Sequence, residues 1–167
     1  MLILGLDPGS NRTGYGLIES RGGRLRAVAY GVIQAPRDTP FLERLPLLAR
    51  QLEDLIRSTR PDAVAAEDIF LARNTRVALK LGHVRGAALL PVLTAGIPVH
   101  EYAARLVKKS VTGFGGAEKE QVRRMVRILL GVREEIRLLD ASDALAVAIC
   151  HAHAGPGLLP GSGTARA

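Results

Sequence analysis

Tryptophan is absent from the 167-residue chain, cysteine occurs once, and phenylalanine and tyrosine occur three times each. The lone Cys150 excludes an internal disulfide and a cysteine-rich zinc site. Set in the apolar run ALAVAIC, it reads as core rather than as a nucleophile. That run, Ala144 to Cys150, falls far short of the ~20 residues that cross a bilayer. The start MLILGLDPGS has neither a basic leader nor a small-residue cleavage site. It is expected to be a strand rather than a signal peptide, in a cytoplasmic protein that needs no membrane. No GxxxxGKS or GxxxxGKT phosphate loop occurs, and Gly14-Tyr15-Gly16 lacks the third glycine of a dinucleotide fold. His83, His100, His151 and His153 show no metal-ligand spacing, and His151 and His153 are expected to be solvated at a frayed helix end. Internal repeats and a second domain boundary are missing too. A single domain over 1–154 is expected, followed by a disordered Gly/Pro-rich tail over 155–167.

Acids are scarcer than bases, giving a net charge of +7, and the excess is local. Between positions 70 and 133, twelve Lys or Arg stand against three acids, whereas the rest of the chain holds eleven bases and thirteen acids. A basic segment of this kind attracts polyanions and gains affinity by counterion release. Arginine outnumbers lysine nineteen to four, so an arginine-rich composition that merely solvates helices remains a second reading.

LILGLD, YGLIES and LRAVAYGVI read as three strands separated by PGSNRTG and RGG, an antiparallel meander. Helical spacing follows: Thr39 as cap, Pro40 at the first helical position, then Phe41, Leu45, Leu48, Leu52 and Leu55, closed by Pro61. AVAAE is a short buried strand, 74–95 a helix, IPVHEY a strand, and 103–112 a basic helix broken by TGFGG. A further amphipathic helix over 118–130 has Val122, Met125, Val126 and Leu129 on one face. The last helix is expected over 141–154. The sum is an α/β fold: a mixed five-stranded sheet, its first three strands antiparallel, flanked by helices.

Four acids stand at strand ends or at a helix start: Asp7, Glu67, Asp140 and Asp143. Asp7 ends LILGL on rigid backbone, although Asp before Pro-Gly is also ordinary turn chemistry. Glu67 ends AVAAE, with Asp68 as a rival, because alternation lets only one of the two face Asp7. Asp140 and Asp143 share a helix face, and an N-cap Asp140 with Asp143 in a capping box would explain both structurally. Together the four suggest a divalent-metal site for a polyanion, since hard cations take oxygen ligands. Two such ions can serve an in-line displacement, and Mn²⁺ suits the same donors.

LGLDPGSNRTGYGL, AAEDIFLARN, ALKLGHVRGA, EYAARLVKKSVTGFGGAEKEQV and LLDASDALAVAICH, in that order from Leu2 to His153, resemble RuvC, the crossover-junction endodeoxyribonucleases. The resemblance implies an RNase H-like homodimer that cuts four-way (Holliday) DNA junctions with Mg²⁺ or Mn²⁺, two ions per site, alongside the RuvA–RuvB branch-migration complex. It implies metal-binding catalysis at Asp7, Glu67, Asp140 and Asp143, with Asp68 the lesser candidate, and places Lys119 and Lys108 at the scissile phosphate. Phe70 would stack near the branch point, against the reading of a half-buried loop residue. Arg73, Asn74, Arg76, Lys80, Lys109 and Arg123 are assigned to phosphate contacts, against the reading of a solvated face. The helix over 74–95, with Ala78, Gly82, Gly86 and Ala87, is the candidate dimer interface. The opening motif also resembles the phosphate loop of actin-like kinases, which need two lobes. A junction-binding module without catalysis and an RNase H-like nuclease for RNA or plain duplex are the remaining alternatives.

Overall fold

The computed structural model describes residues 1–68 and 74–155. Phe70, Arg73 and the tail from 156 onward lie outside the described residues. The elements in chain order are β1 (Leu2–Pro8), β2 (Arg12–Arg21), β3 (Arg24–Gln34), α1 (Phe41–Thr59), β4 (Ala63–Glu67), α2 (Thr75–Thr94), β5 (Val99–Tyr102), α3 (Ala104–Thr112), α4 (Lys119–Leu130) and α5 (Leu139–Ala154). The sheet order is β3-β2-β1-β4-β5. β1 and β2, and β2 and β3, pair antiparallel, whereas β4 joins β1 and β5 in parallel. The expected meander and mixed sheet are therefore present. The β2–β3 hairpin turns on Gly22 and Gly23, both at positive φ (57° and 76°), a conformation that a side chain would strain.

Two cores cover the two faces. Leu4, Leu6, Leu17 and Val64 point to α1 and α2, meeting Leu48, Leu52, Ile56, Val84, Ala88 and Val92. Ile3, Ile18 and Ala65 point the other way, to α3, α4 and α5. Period-two alternation in the strands produces this division. α5 is the central helix of the second layer, buried from Ala144 through His151. Each large aliphatic side chain sealed there contributes ~1.5–3 kcal/mol.

Three local expectations need correction. Pro40 occupies the N-cap of α1 and Phe41 the first helical position, so proline stands one residue earlier than expected. α5 begins at Leu139 with Leu138 as N-cap, so Asp140 lies inside the first turn and forms no capping box with Asp143. Ile136, only 1 % exposed, ties the segment before the helix into the core. His151 is buried rather than solvated: its Nδ1 lies 2.6 Å from the Tyr102 hydroxyl, and its ring stacks on His100. Burial, followed by His100, pushes its pKa down to about 4. His153, by contrast, is exposed. Cys150 is buried as expected, its thiol pushed up to about 11 by burial.

α2 is long and apolar enough to cross a membrane by length and composition alone. Its buried residues, Val84, Arg85, Ala88 and Val92, instead pack into the domain.

Candidate active site

Asp7 and Glu67 reach one face of the sheet by the same alternation. On β1, Ile3, Gly5 and Asp7 face α5; on β4, Ala65 and Glu67 do. Asp68 lies beyond the strand and is exposed, its N–H donated to the carbonyl of Tyr102 at 2.9 Å. Glu67 thus shares the α5 side of the sheet with Asp7, while Asp68 lines a cavity with both of them.

The approach of α5 depends on glycine. The cross-strand pairs Gly5–Gly16 and Asp7–Gly14 lie beneath it. A Cβ at Gly14 would fall 1.9 Å from the Asp140 carbonyl oxygen, and one at Gly5 1.9 Å from that of Ala144. The helix backbone therefore rests directly on the strands. Its first turns carry Asp140 and Asp143 to the sheet edge where Asp7 and Glu67 end.

A cleft of about 320 Å³ opens at that edge, lined by Asp7, Glu67, Asp143, Lys108 and Lys119 over an apolar wall that includes Val107 and Val122. Lys119 Nζ lies 3.4 Å from Asp143 Oδ2. The negative charge of Asp143 raises the Lys119 pKa more than burial lowers it, so the ammonium stays charged. Asp140 does not line this cleft but a separate cavity of about 430 Å³, with Ser10, Asn11 and Arg137. Its carboxylate pairs with Arg12 Nε at 3.4 Å.

Burial pushes Asp7 from 3.8 up to about 7, reinforced by the charges of Asp143, Glu67 and Asp140 and opposed by Lys119. Glu67 is raised as well, by burial and then Asp143, against Lys119, Lys108 and Arg85. Crowded, partly dehydrated carboxylates of this kind are stabilised by a cation. The donor set is all oxygen, which fits a hard divalent ion such as Mg²⁺. Among the described residues no three His, Cys, Asp or Glu side chains already stand close enough to hold a metal ion. Asp143 and Asp140 are instead each paired with a cation of the protein, Lys119 and Arg12.

The remaining expected DNA contacts are dispersed. Asn74 Oδ1 caps α2, accepting from the N–H groups of Arg76 and Val77 at 3.0 and 3.3 Å. Lys80 Nζ sits 5.3 Å from the Phe41 ring centroid. Arg123 pairs with Glu120 at 2.7 Å and Glu135 at 3.2 Å, so its charge is neutralised within the protein. Arg76 and Lys109 are exposed. Two residues beside the acids escaped the sequence reading, Arg12 and Arg85. A signal for Arg85 existed: a charge amid Val84 and Ala88 on the buried stripe of a helix is out of place on pattern alone.

A mixed sheet in the order β3-β2-β1-β4-β5, with acids from β1, β4 and a crossing helix at one edge, defines the class: an RNase H-like fold with a nuclease-type carboxylate site. The structure of Thermus thermophilus RuvC in complex with a Holliday junction substrate matches it with a TM-score of 0.83 at 32% identity, covering 92% of this chain and 94% of that one. The family described as crossover junction endodeoxyribonuclease RuvC matches residues 3–151. The RuvC of Citrifermentans bemidjiense is 52% identical over 153 residues, 92% of this chain and 93% of its own. That of Maricaulis maris is 54% identical over 151 residues, 90% of each. The chain belongs to the RuvC family of crossover junction endodeoxyribonucleases.

Proposed function

We propose that this chain resolves four-way (Holliday) DNA junctions in recombination and repair by metal-dependent hydrolysis of symmetrically placed phosphodiesters. One observation carries the reading: Asp7, Glu67 and Asp143 line a single cleft with Lys108 and Lys119. Such a cleft offers oxygens for Mg²⁺ and positive charge for a phosphate. Asp7, Glu67 and Asp143, with Asp140 one turn earlier on α5, would hold the metal, two ions per site, with Mn²⁺ able to substitute. When bound, the metal activates water and neutralises charge on the phosphate.

The protein's own residues do the rest. Asp7 and Glu67, on rigid strand ends, fix where the phosphorus sits. Lys119 and Lys108 place positive charge beside the phosphoryl oxygens, where negative charge grows as the reaction proceeds. Water adds to phosphorus in line and the P–O3′ bond breaks, the proton passing to the leaving oxygen. The products are 3′-hydroxyl and 5′-phosphate ends. Arg76, Lys80, Lys109 and Asn74, with Phe70 and Arg73, belong to the path of the DNA arms; Arg123 would first have to leave Glu120 and Glu135.

A junction has near two-fold symmetry, so two active sites related by a two-fold axis suit it. On α2, Leu79 (61 % exposed), Leu90 (62 %) and Leu93 (59 %) flank Gly82 and Gly86, at which an added Cβ would meet no atom within 4 Å. Their spacing of three, four, four and three makes one apolar stripe with a small-residue centre, suited to pairing with its own copy. The reading includes a homodimer through this stripe, placed in the cytoplasm and acting with the RuvA–RuvB complex that the family resemblance implies.

The test is a cleavage assay on a synthetic four-way junction, a plain duplex and an RNA–DNA hybrid in Mg²⁺ and in EDTA. Paired nicks on the junction alone, only with metal, are expected. Equal cutting of duplex or hybrid would contradict the junction specificity, and cutting in EDTA the metal dependence.

A further inference from the structure

Among the described residues Arg85 is the one Lys, Arg, Asp or Glu that is buried, 9 % exposed on the inner face of α2 beside Val84 and Ala88. Removing a guanidinium from water is costly unless its donors are matched. Both ends of this one are matched at the site. One terminal nitrogen donates to the main-chain carbonyl of Glu67 at 2.5 Å, and the other pairs with the carboxylate of Glu101 on β5. On the β1 side the ladder ends at Ala66, one residue short of Glu67, whereas on the β5 side it continues through Glu67 and Tyr102. Arg85 also lines a cavity of about 350 Å³ shared with Asp7, Glu67 and Asp68, on the α2 side of the carboxylates. The planar fork of arginine can span two fixed acceptors; the single ammonium of lysine cannot hold them in the same geometry.

Resting on the metal-site reading above, we infer that Arg85 is a positioning residue: it ties the backbone of Glu67 to α2 and β5, so that the Glu67 carboxylate stays aimed at the metal position shared with Asp7 and Asp143. Glu101, half-exposed, holds the guanidinium in turn. β5 already holds this strand end through the Glu67–Tyr102 pairing, and the guanidinium adds the tie missing on the other side of the Glu67 backbone; outer partners of a metal ligand typically set metal affinity by 10–100-fold.

The experiment uses the full chain as Arg85→Met, Arg85→Lys, Glu101→Gln and Asp7→Asn. Mn²⁺ binding to metal-free protein is read by calorimetric titration, junction binding in EDTA by fluorescence anisotropy, and folding by thermal melting. Arg85→Met is expected to weaken Mn²⁺ binding by about 10-fold or more, with junction affinity in EDTA within about two-fold of the parent, since that is phosphate binding without metal. Arg85→Lys keeps the charge and is expected not to restore Mn²⁺ affinity. Glu101→Gln leaves the core intact and is expected to weaken Mn²⁺ binding by a smaller factor, about three-fold, so it reads the effect even if Arg85→Met fails to melt cooperatively. Parental Mn²⁺ affinity in folded Arg85→Met, or in Glu101→Gln if that alone folds, overturns the inference and leaves the metal site standing. A parent chain that binds no Mn²⁺, or an Asp7→Asn variant that binds it undiminished, overturns the metal-site reading and this inference with it.

Discussion

Replacing Asp7 by Asn should make the metal-free protein more stable. The Asp7 carboxylate is held from 3.8 up to about 7, first by burial and then by Asp143, Glu67 and Asp140. A group with that rise opposes folding wherever the unfolded chain is ionised and the folded one is not. The folded state then binds more protons than the unfolded state, so stability falls as pH climbs from 3.8 to about 7 and levels off above. The ceiling at pH 7.5 is ~4 kcal/mol. Asn keeps an amide to desolvate and the other acids relax, so about half of it, ~2 kcal/mol, should be recovered. For a chain of this size that is ~4–8 °C in Tm. His151 works in the opposite sense: held down to about 4, it loses folded stability as pH falls from 6.5 toward 4. Comparing variant with parent at each pH cancels that contribution. Thermal melts in EDTA should therefore show the Asn variant level with the parent near pH 4 and ahead of it above pH 7. Mg²⁺ should raise the parent's Tm above pH 7, by ~2.7 kcal/mol of stability at 100 times its Kd, and leave the variant unmoved. An Asn variant no more stable than the parent at pH 7.5, or one with the same advantage at pH 4, would refute the electrostatic reasoning.

Gly14→Ala should lower junction nicking by ~10²-fold or more, because its methyl meets the Asp140 carbonyl at 1.9 Å and must lift the start of α5. Overpacking of that kind costs ~1–3 kcal/mol, visible in a urea melt; an Ala variant with parental rate would mean that the approach of α5 does not set the site. Lys119→Met should cut single-turnover nicking by ~10²-fold with junction binding nearly unchanged, measured by anisotropy beside a quench assay. Leu90→Asp places charge on the exposed stripe of α2 and should shift sedimentation from dimer to monomer at micromolar concentration, without a fall in Tm of the monomer fold.

Much of the site was legible because strand alternation is a strict rule. Once LILGLD and AVAAE are strands, the facing of Asp7 and Glu67 follows from the burial of Leu4, Leu6 and Val64 on the other side. The three-residue spacing of Asp140 and Asp143 survives an error in the helix start, since both stay on adjacent turns of α5. What failed was set by distant parts of the chain. His151 is buried because Tyr102, forty-nine residues earlier, comes to meet it from β5. Pro40 stands at the cap of α1, whose Leu48 is buried and whose Phe41 and Leu45 pack on the core. The two cations at the acids, Arg12 on Asp140 and Arg85 behind Glu67, lie at the start of β2 and in α2, and their neighbours in sequence say nothing of what they touch.

The most direct measurement is an anomalous difference map from crystals of the full chain soaked in Mn²⁺ at pH 7.5. Density within ~2.0–2.3 Å of the Asp7 carboxylate and shared with Glu67 or Asp143 is the predicted result. Mn²⁺ that binds elsewhere, or that sits in the cleft without Asp7 among its ligands, would contradict it.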